Sequence, residues 1–266
     1  MRIDGVRLVY FSPTGTTRKV LGGIARGLGF PEAECYDLTQ PRQRQWDATP
    51  ESVLTLLGAP VYAGRLPATA VARLRRVQGR GSPAVLVVVY GNRAYEDALL
   101  ELRDLALDGG FTPVAAGAFV GEHSFSAPNT PIAVGRPDAD DLRRAQEFGR
   151  IAAGKLAVLP GLAAMDPLRV PGNLPYKDVT LAGGVAPETR EAECARCGQC
   201  VTACPVGTVR LTDGVVVTDK ALCIRCCACV KGCPTGARVV TDVGMLQTAT
   251  RLATNCRQRK EPEYFL

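Results

Sequence analysis

The sequence is organised around two matching cysteine runs between residues 194 and 234. The first reads Cys194-Ala-Arg-Cys197-Gly-Gln-Cys200-Val-Thr-Ala-Cys204-Pro205, and the second reads Cys223-Ile-Arg-Cys226-Cys-Ala-Cys229-Val-Lys-Gly-Cys233-Pro234. Both runs have the spacing C-x2-C-x2-C-x3-C-P, and the proline fixes the backbone where the chain leaves the fourth cysteine. Because eight cysteines match one template twice, the runs indicate a metal centre bound by thiolates.

The spacing predicts two cubic [4Fe–4S] clusters. Three thiolates two residues apart wrap around one corner of a cluster, and the fourth cysteine of each run ligates the other cluster. We expect the first cluster at Cys194, Cys197, Cys200 and Cys233, called site one below. We expect the second cluster at Cys223, Cys226, Cys229 and Cys204, called site two.

Zinc and disulfides are the alternative uses of these cysteines. A zinc site takes four ligands in C-x2-C pairs, which would leave the third cysteine of each run surplus. Disulfides are typical of secreted chains, whereas residues 1–7 lead straight into a strand-like segment without a secretory signal. No apolar run approaches the length that crosses a membrane, so we expect a cytoplasmic protein.

The positive charge of the chain does not require a nucleic-acid partner. The formal net charge is +6, but each oxidised cluster held by four thiolates adds about −2, because a cofactor's own charge enters the count. Between residues 194 and 238 the basic residues exceed the acidic ones by six to two: Arg196, Arg210, Lys220, Arg225, Lys231 and Arg238 against Asp213 and Asp219. This local excess compensates the clusters.

The N-terminal part alternates short apolar runs with amphipathic segments. Strands are predicted at 6–11, 35–38, 53–58, 84–90 and 111–120, the last interrupted near Gly117. Alternating strands and helices predict an α/β fold with a doubly wound, parallel, five-stranded sheet. Ligands of such sheets bind beyond the carboxyl ends of the strands.

Three loops follow the carboxyl ends of predicted strands. Ser12–Thr17 is rich in hydroxyl groups and stands between a strand and a helix, a geometry that binds phosphate, and Gly15 allows close approach of the backbone. The loop lacks the Gly-Lys-Ser/Thr ending of nucleoside-triphosphate sites, and an ordinary helix N-cap is its plainest reading. The other two loops, 59–65 and 90–95, carry tyrosines.

These three loops together resemble the flavodoxins. The resemblance implies that Ser12, Thr14, Gly15, Thr16 and Thr17 bind the phosphate of FMN. It also implies that the isoalloxazine ring is flanked by Tyr62 and by Tyr90, Asn92 or Tyr95, with Gly91 a further cofactor-binding residue. Alternatively, Tyr62 and Tyr95 are surface aromatics at the ends of their loops.

The whole chain resembles the bacterial and archaeal flavodoxin–ferredoxin fusion proteins. The similarity rests on the cysteine runs and on four further stretches, 90–95, 121–126, 131–138 and 171–177. It implies an FMN-binding domain at 1–155, a linker rich in proline and glycine at 156–190, and a small α+β ferredoxin-like domain with two clusters at 191–241. A tail at 242–266 has a helical pattern at 246–255 and an apolar end.

The expected function is electron transfer between FMN and two [4Fe–4S] clusters, with redox proteins as donor and acceptor. A substrate-specific enzyme is the less favoured class. An FMN-dependent reductase would need a proton donor, for which His123 and Tyr95 are candidates, although a lone histidine is more often structural. A third hypothesis is an iron–sulfur redox sensor without flavin.

Overall fold

The computed structural model describes residues 1–41, 46, 49–179 and 183–266. Five parallel strands form the main sheet: β1 (Gly5–Tyr10), β2 (Glu34–Asp37), β3 (Val53–Pro60), β4 (Pro83–Tyr90) and β5 (Thr112–Val120). Their order is β2-β1-β3-β4-β5. This is the flavodoxin-like order, in which the ligand crevice lies at the carboxyl ends of β1 and β3. The predicted fold class is therefore confirmed.

Helices cover both faces of this sheet. On one face lie α1 (Thr16–Gly27) and α4 (Ala139–Val158), and on the other lie α2 (Ala68–Leu74) and α3 (Ala98–Asp108). Strand β4 contributes to the apolar cores on both faces of the sheet, because its successive side chains alternate between the two buried clusters. Among the described residues, no helix is both long enough and apolar enough to cross a membrane.

Strand β5 is continuous, so the predicted interruption near Gly117 is wrong. Gly117 pairs with Val87 within the ladder. A Cβ atom there would lie 2.7 Å from Cε2 of Phe119. The glycine leaves room for the buried Phe119 ring and does not break the strand.

The cysteine-rich part forms a small module of two similar halves. Its elements are β6 (Glu188–Thr189), α5 (Gln199–Thr202), β7 (Val209–Thr212), β8 (Val215–Thr218), α6 (Ala228–Lys231) and β9 (Arg238–Val239). β6 pairs with β9, and β7 pairs with β8, both antiparallel. In each half a short helix begins after a residue with left-handed backbone, Gly198 in the first and Cys227 in the second.

The C-terminal tail returns to the first domain, a docking that the sequence did not reveal. Helix α7 (Val243–Asn255) begins three residues before the expected Leu246, because the Asp242 carboxylate accepts a hydrogen bond from the N–H of Met245 at 2.8 Å. Strand β10 (Glu263–Phe265) then pairs antiparallel with β5 and becomes a sixth strand. Tyr264 stacks on Phe148 with ring centroids 4.8 Å apart.

Residues 173–177, within the predicted linker, pack against α3. The Asp97 carboxylate at the start of α3 accepts hydrogen bonds from the backbone N–H groups of Asn173 and Lys177, at 2.8 and 2.7 Å. Tyr176 donates its hydroxyl proton to Asp104. These contacts hold this segment against the main sheet's helical layer.

Candidate functional site

A cavity of about 1070 Å³ lies at the carboxyl ends of β1, β3 and β4. Residues from all three predicted loops line it: Ser12, Pro13, Thr14, Thr16, Thr17, Pro60, Val61, Tyr62, Ala63, Tyr90, Gly91, Asn92 and Arg93. Small-molecule sites usually enclose about 300–1,000 Å³. The cavity is therefore large enough for a cofactor of nucleotide size.

The Ser12–Thr17 loop presents unpaired polar groups to this cavity. Thr17 is fully buried, and its Oγ1 has no hydrogen-bond partner among the described residues. Ser12 Oγ accepts the N–H of Arg18 at 3.1 Å, which leaves the Ser12 hydroxyl proton free to donate. Gly15 has φ +80°, a backbone conformation that would be strained for a residue with a side chain. With the first N–H groups of α1, which have no intrahelical acceptor, the loop fits an anion such as phosphate.

Asn92 lines the cavity, but its amide binds the C-terminal segment. Its Nδ2 donates to the carbonyl oxygens of Cys256 and Gln258 at 2.7 and 2.9 Å. Its Oδ1 accepts the N–H of Lys260 at 3.2 Å. The polar groups of Asn92 therefore hold the tail against the cavity, a role that the sequence did not indicate.

Tyr95 does not lie where the sequence placed it. It is not among the described residues that line the cavity. Its hydroxyl donates to Glu263 at 2.8 Å, and burial together with that carboxylate raises the Tyr95 pKa above its ordinary value. The structure thus gives no support to the predictions that Tyr95 flanks a ring or donates a proton to a substrate, and both stay predictions. Tyr95 anchors β10 instead.

His123, the only histidine of the chain, lines the cavity as a neutral imidazole. Its Nδ1 accepts the N–H of Phe125 at 3.0 Å, so its proton is on Nε2. Burial, with further contributions from Arg93 and Lys231, lowers the His123 pKa to about 4. A neutral imidazole is a hydrogen-bond donor at neutral pH, and it is a poor general acid.

Helix α7 and the segment after it form a wall of the cavity that the sequence did not predict. The residues of this wall are Asp242, Gly244, Met245, Thr248, Arg251, Leu252, Asn255, Cys256, Gln258 and Lys260. The helical pattern and the Asp242 cap are visible in the sequence, but neither says where the helix docks.

The lining of the whole cavity carries more basic than acidic side chains. The basic residues are Arg93, Lys177, Arg225, Arg251 and Lys260, and the acidic ones are Glu122 and Asp242. This surplus favours an anionic ligand.

A second cavity lies in the cysteine module, and the four predicted ligands of site two line it. Cys204, Cys223, Cys226 and Cys229 all face this space, although Cys204 comes from the other run. All eleven cysteines of the chain are free thiols. In the described part of the chain, no group of three or more His, Cys, Asp or Glu side chains is arranged to hold a single metal ion.

Site one lies nearer the surface than site two. Cys197 is exposed, Cys194 and Cys233 are partly buried, and Cys200 is buried. The two runs have one backbone hydrogen bond in common. In each run the sulfur of the first cysteine accepts the N–H of the residue two positions later, from Arg196 to Cys194 and from Arg225 to Cys223, both at 3.4 Å. Hydrogen bonds of this kind stabilise thiolate over thiol.

The two cavities share Ile224. This residue follows Cys223 and lines both spaces, and it also packs against the apolar core on the α2–α3 face of the sheet. Tyr62, on the wall of the large cavity, has a pKa well above its ordinary value because it is buried and because Cys226, Cys227 and Cys223 are close. Site two therefore adjoins the large cavity.

Two cationic side chains fasten the cysteine module to the sheet domain. The buried Arg73 of α2 donates to the carbonyl oxygens of Leu38 and Thr39, and to that of Pro205 at 2.6 Å. Lys231 of α6 binds Glu122 at 2.6 Å and also the Ser126 carbonyl. The position of site two relative to the large cavity is thereby fixed.

Comparison with known proteins finds similar solved structures but no related family. The chain matches no protein-family model, and no curated protein matches it significantly. Solved structures with similar folds include a flavodoxin from the domain Archaea, with 14% identity and TM-score 0.37 over 57% of this chain and 99% of that one. Flavodoxin 1 from Bacillus cereus has 16% identity and TM-score 0.38, over 59% and 99%.

A longer similar structure is the rubredoxin oxygen:oxidoreductase from Desulfovibrio gigas. It has 14% identity and TM-score 0.39 over 59% of this chain. The alignment spans only 38% of that protein's length.

The neutral state of His123 is directly measurable because the chain has a single histidine. We expect its imidazole C–H proton resonances to stay constant from pH 8 down to about pH 5, since protonation of the partly buried ring occurs near pH 4. The measurement is a proton NMR titration, with His123→Asn to assign the signals. A midpoint near the ordinary value of 6.5 would contradict the neutral ring.

Proposed function

We propose that this chain is an electron-transfer protein that holds FMN in the large cavity and two [4Fe–4S] clusters in sites one and two. The observation that carries the proposal is the shared wall at Ile224, which places a four-cysteine site beside a cofactor-sized cavity. Separate proteins would have to meet by diffusion before an electron passed between such cofactors. Here both sites belong to one chain, which fixes the distance between the cofactors.

The flavin assignment is supported by the chemistry of the large cavity. The fully buried Thr17 Oγ1 has no hydrogen-bond partner in the described part of the chain, and an FMN phosphate would supply an acceptor for its proton. The surplus of basic residues suits the same anion. Tyr62 and Tyr90 also line the cavity and supply aromatic surface against which an isoalloxazine ring would be held.

The cluster assignment is supported by the grouping of the thiols. Cys204 joins Cys223, Cys226 and Cys229 around one cavity, as the crossed ligation of a two-cluster template requires. Three of these four cysteines are buried. A buried set of four thiols suits a cofactor whose iron atoms take thiolate ligands.

The arrangement suggests an order for the relay. The large cavity adjoins site two, and site one contains the exposed Cys197. Flavins accept one or two electrons, whereas each cluster accepts one, so the chain would split or merge electron pairs. We propose that redox proteins exchange electrons at the surface around site one.

The reductase alternative has less support in the geometry. Tyr95 is engaged by Glu263 away from the cavity, and His123 is held neutral. Helix α7 also occupies a wall of the cavity. A substrate-specific reductase would need both space and an acid on that side of the cofactor.

The proposal is tested by an anaerobic reductive titration followed in the visible spectrum, with flavin and iron measured on the same sample. We expect about one flavin and about eight irons per chain, since two four-iron clusters are predicted, bleaching in separable steps. Iron without flavin, even after FMN is added, would favour the sensor hypothesis. A chain with zinc and no iron would overturn the cluster assignment.

The role of Thr17 is tested by Thr17→Val, which removes one hydroxyl and keeps the shape. Because a hydrogen bond to a charged group contributes about 1.5–3 kcal/mol, we expect FMN to bind roughly tenfold to a hundredfold more weakly. Quenching of FMN fluorescence by flavin-depleted protein measures the affinity. Thr55→Val is the matched control, since Thr55 Oγ1 is also buried with no hydrogen-bond partner among the described residues, but Thr55 does not line the cavity. Equal FMN affinity in both variants would show that the Thr17 hydroxyl does not bind FMN.

A further inference from the structure

Arg238 places a buried positive charge beside site two. Its side chain lines the second cavity and is only 3% exposed. One Nη2 proton points to the sulfur of Cys229 at 3.6 Å, and other hydrogen bonds reach the hydroxyls of Thr218 and Thr189 at 3.1 and 2.8 Å. All of these partners are uncharged side chains or a thiol.

The guanidinium of Arg238 forms no ion pair with a carboxylate in the part of the chain that the structure describes. No ion pair among the described residues includes Arg238, and its buried Nε has no hydrogen-bond partner there. The nearby Glu188 binds Lys220 and Thr241 instead. A buried charge is costly unless it is paired, so a negative group beside Cys229 would complete this environment. A thiolate-bound cluster is such a group.

The two halves of the module differ at this position. Val209 stands five residues after Cys204, and Arg238 stands five residues after Cys233. Both side chains are 3% exposed, and both line the second cavity. The first half therefore has an apolar side chain at the position where the second half has a cation.

We propose that Arg238 raises the reduction potential of the cluster in site two, so that this cluster holds an electron more readily than it would beside an apolar residue. The inference rests on the proposed function, because it needs the two clusters. Reduction adds one electron and one negative charge to the cluster without making or breaking a bond. In the proposed relay the flavin supplies that electron.

The physical reason is electrostatic. A buried cation attracts the added charge strongly, because the interior has a lower effective dielectric constant than water. Cluster potentials respond to the surrounding net charge and to hydrogen bonds to the sulfurs, and Arg238 provides both. The side-chain hydrogen bond of Arg238 goes to the sulfur of Cys229, a predicted ligand of site two, so we expect the larger effect at that cluster.

The experiment is a redox titration of the anaerobic holoprotein followed by electron paramagnetic resonance, comparing wild type with Arg238→Met. We expect reduction of one cluster to become at least tenfold less favourable, a fall of about 59 mV for one electron, while the other midpoint moves much less. Arg238→Lys should retain most of the wild-type potential. Arg210→Met is the matched control, because Arg210 is exposed on β7, and both midpoints should stay in place.

The outcomes separate the two proposals. If the wild type lacks two four-iron clusters, the proposed function fails. If it holds both, and Arg238→Met leaves both midpoints unchanged, shifts them equally or raises one, the inference about Arg238 is wrong. Should Arg238→Met fail to incorporate clusters, Arg238→Gln, which keeps polar contacts and removes the charge, gives the same comparison.

Discussion

The wall at Ile224 is the constraint on which the rest of the structure depends. It separates the cavity on the sheet from the cavity among the cysteines, and it packs into the core of the sheet domain. Arg73 and Lys231 hold the module in place from two sides. Because an electron crosses only a short distance efficiently, a fixed wall of this kind is more useful to a relay than either cavity alone.

The C-terminal segment completes the same construction from the other side. Strand β10 pairs with β5, and Asn92 and Tyr95 bind the tail through their side chains. Helix α7 consequently lies along the cavity that the three loops open. A flavin held there would be covered by its own chain, which favours exchange of electrons through the adjoining cysteine module over direct contact with a bulky substrate.

The sequence predicted the parts whose signals are local. The parallel five-stranded sheet followed from alternating apolar runs and helical patterns, and the loop at Ser12–Thr17 followed from its hydroxyl groups between a strand and a helix. The grouping of Cys204 with the second run followed from a template that already encodes the crossing. Each of these depends on residues close together in the chain or on one repeated spacing.

The parts that sequence reasoning missed depend on long-range contacts. Nothing near Asn92 shows that its amide binds Cys256 and Gln258, more than 160 residues away. The sequence around Tyr95 suggests a ring-flanking tyrosine, and only the fold shows that β10 brings Glu263 to its hydroxyl. From the sequence, Arg238 is only one of six basic residues near the cysteines. Its burial beside Cys229 depends on the two halves of the module folding together.

The central claim is that flavin and cluster are neighbours within one chain. The most direct test is to photoreduce the flavin with a short laser pulse under anaerobic conditions and to follow the absorbance of the clusters over a series of protein concentrations. The account predicts first-order electron transfer from flavin to cluster, at a rate that does not change with protein concentration. A rate that rises in proportion to protein concentration would show that electrons pass between molecules, and would contradict the account.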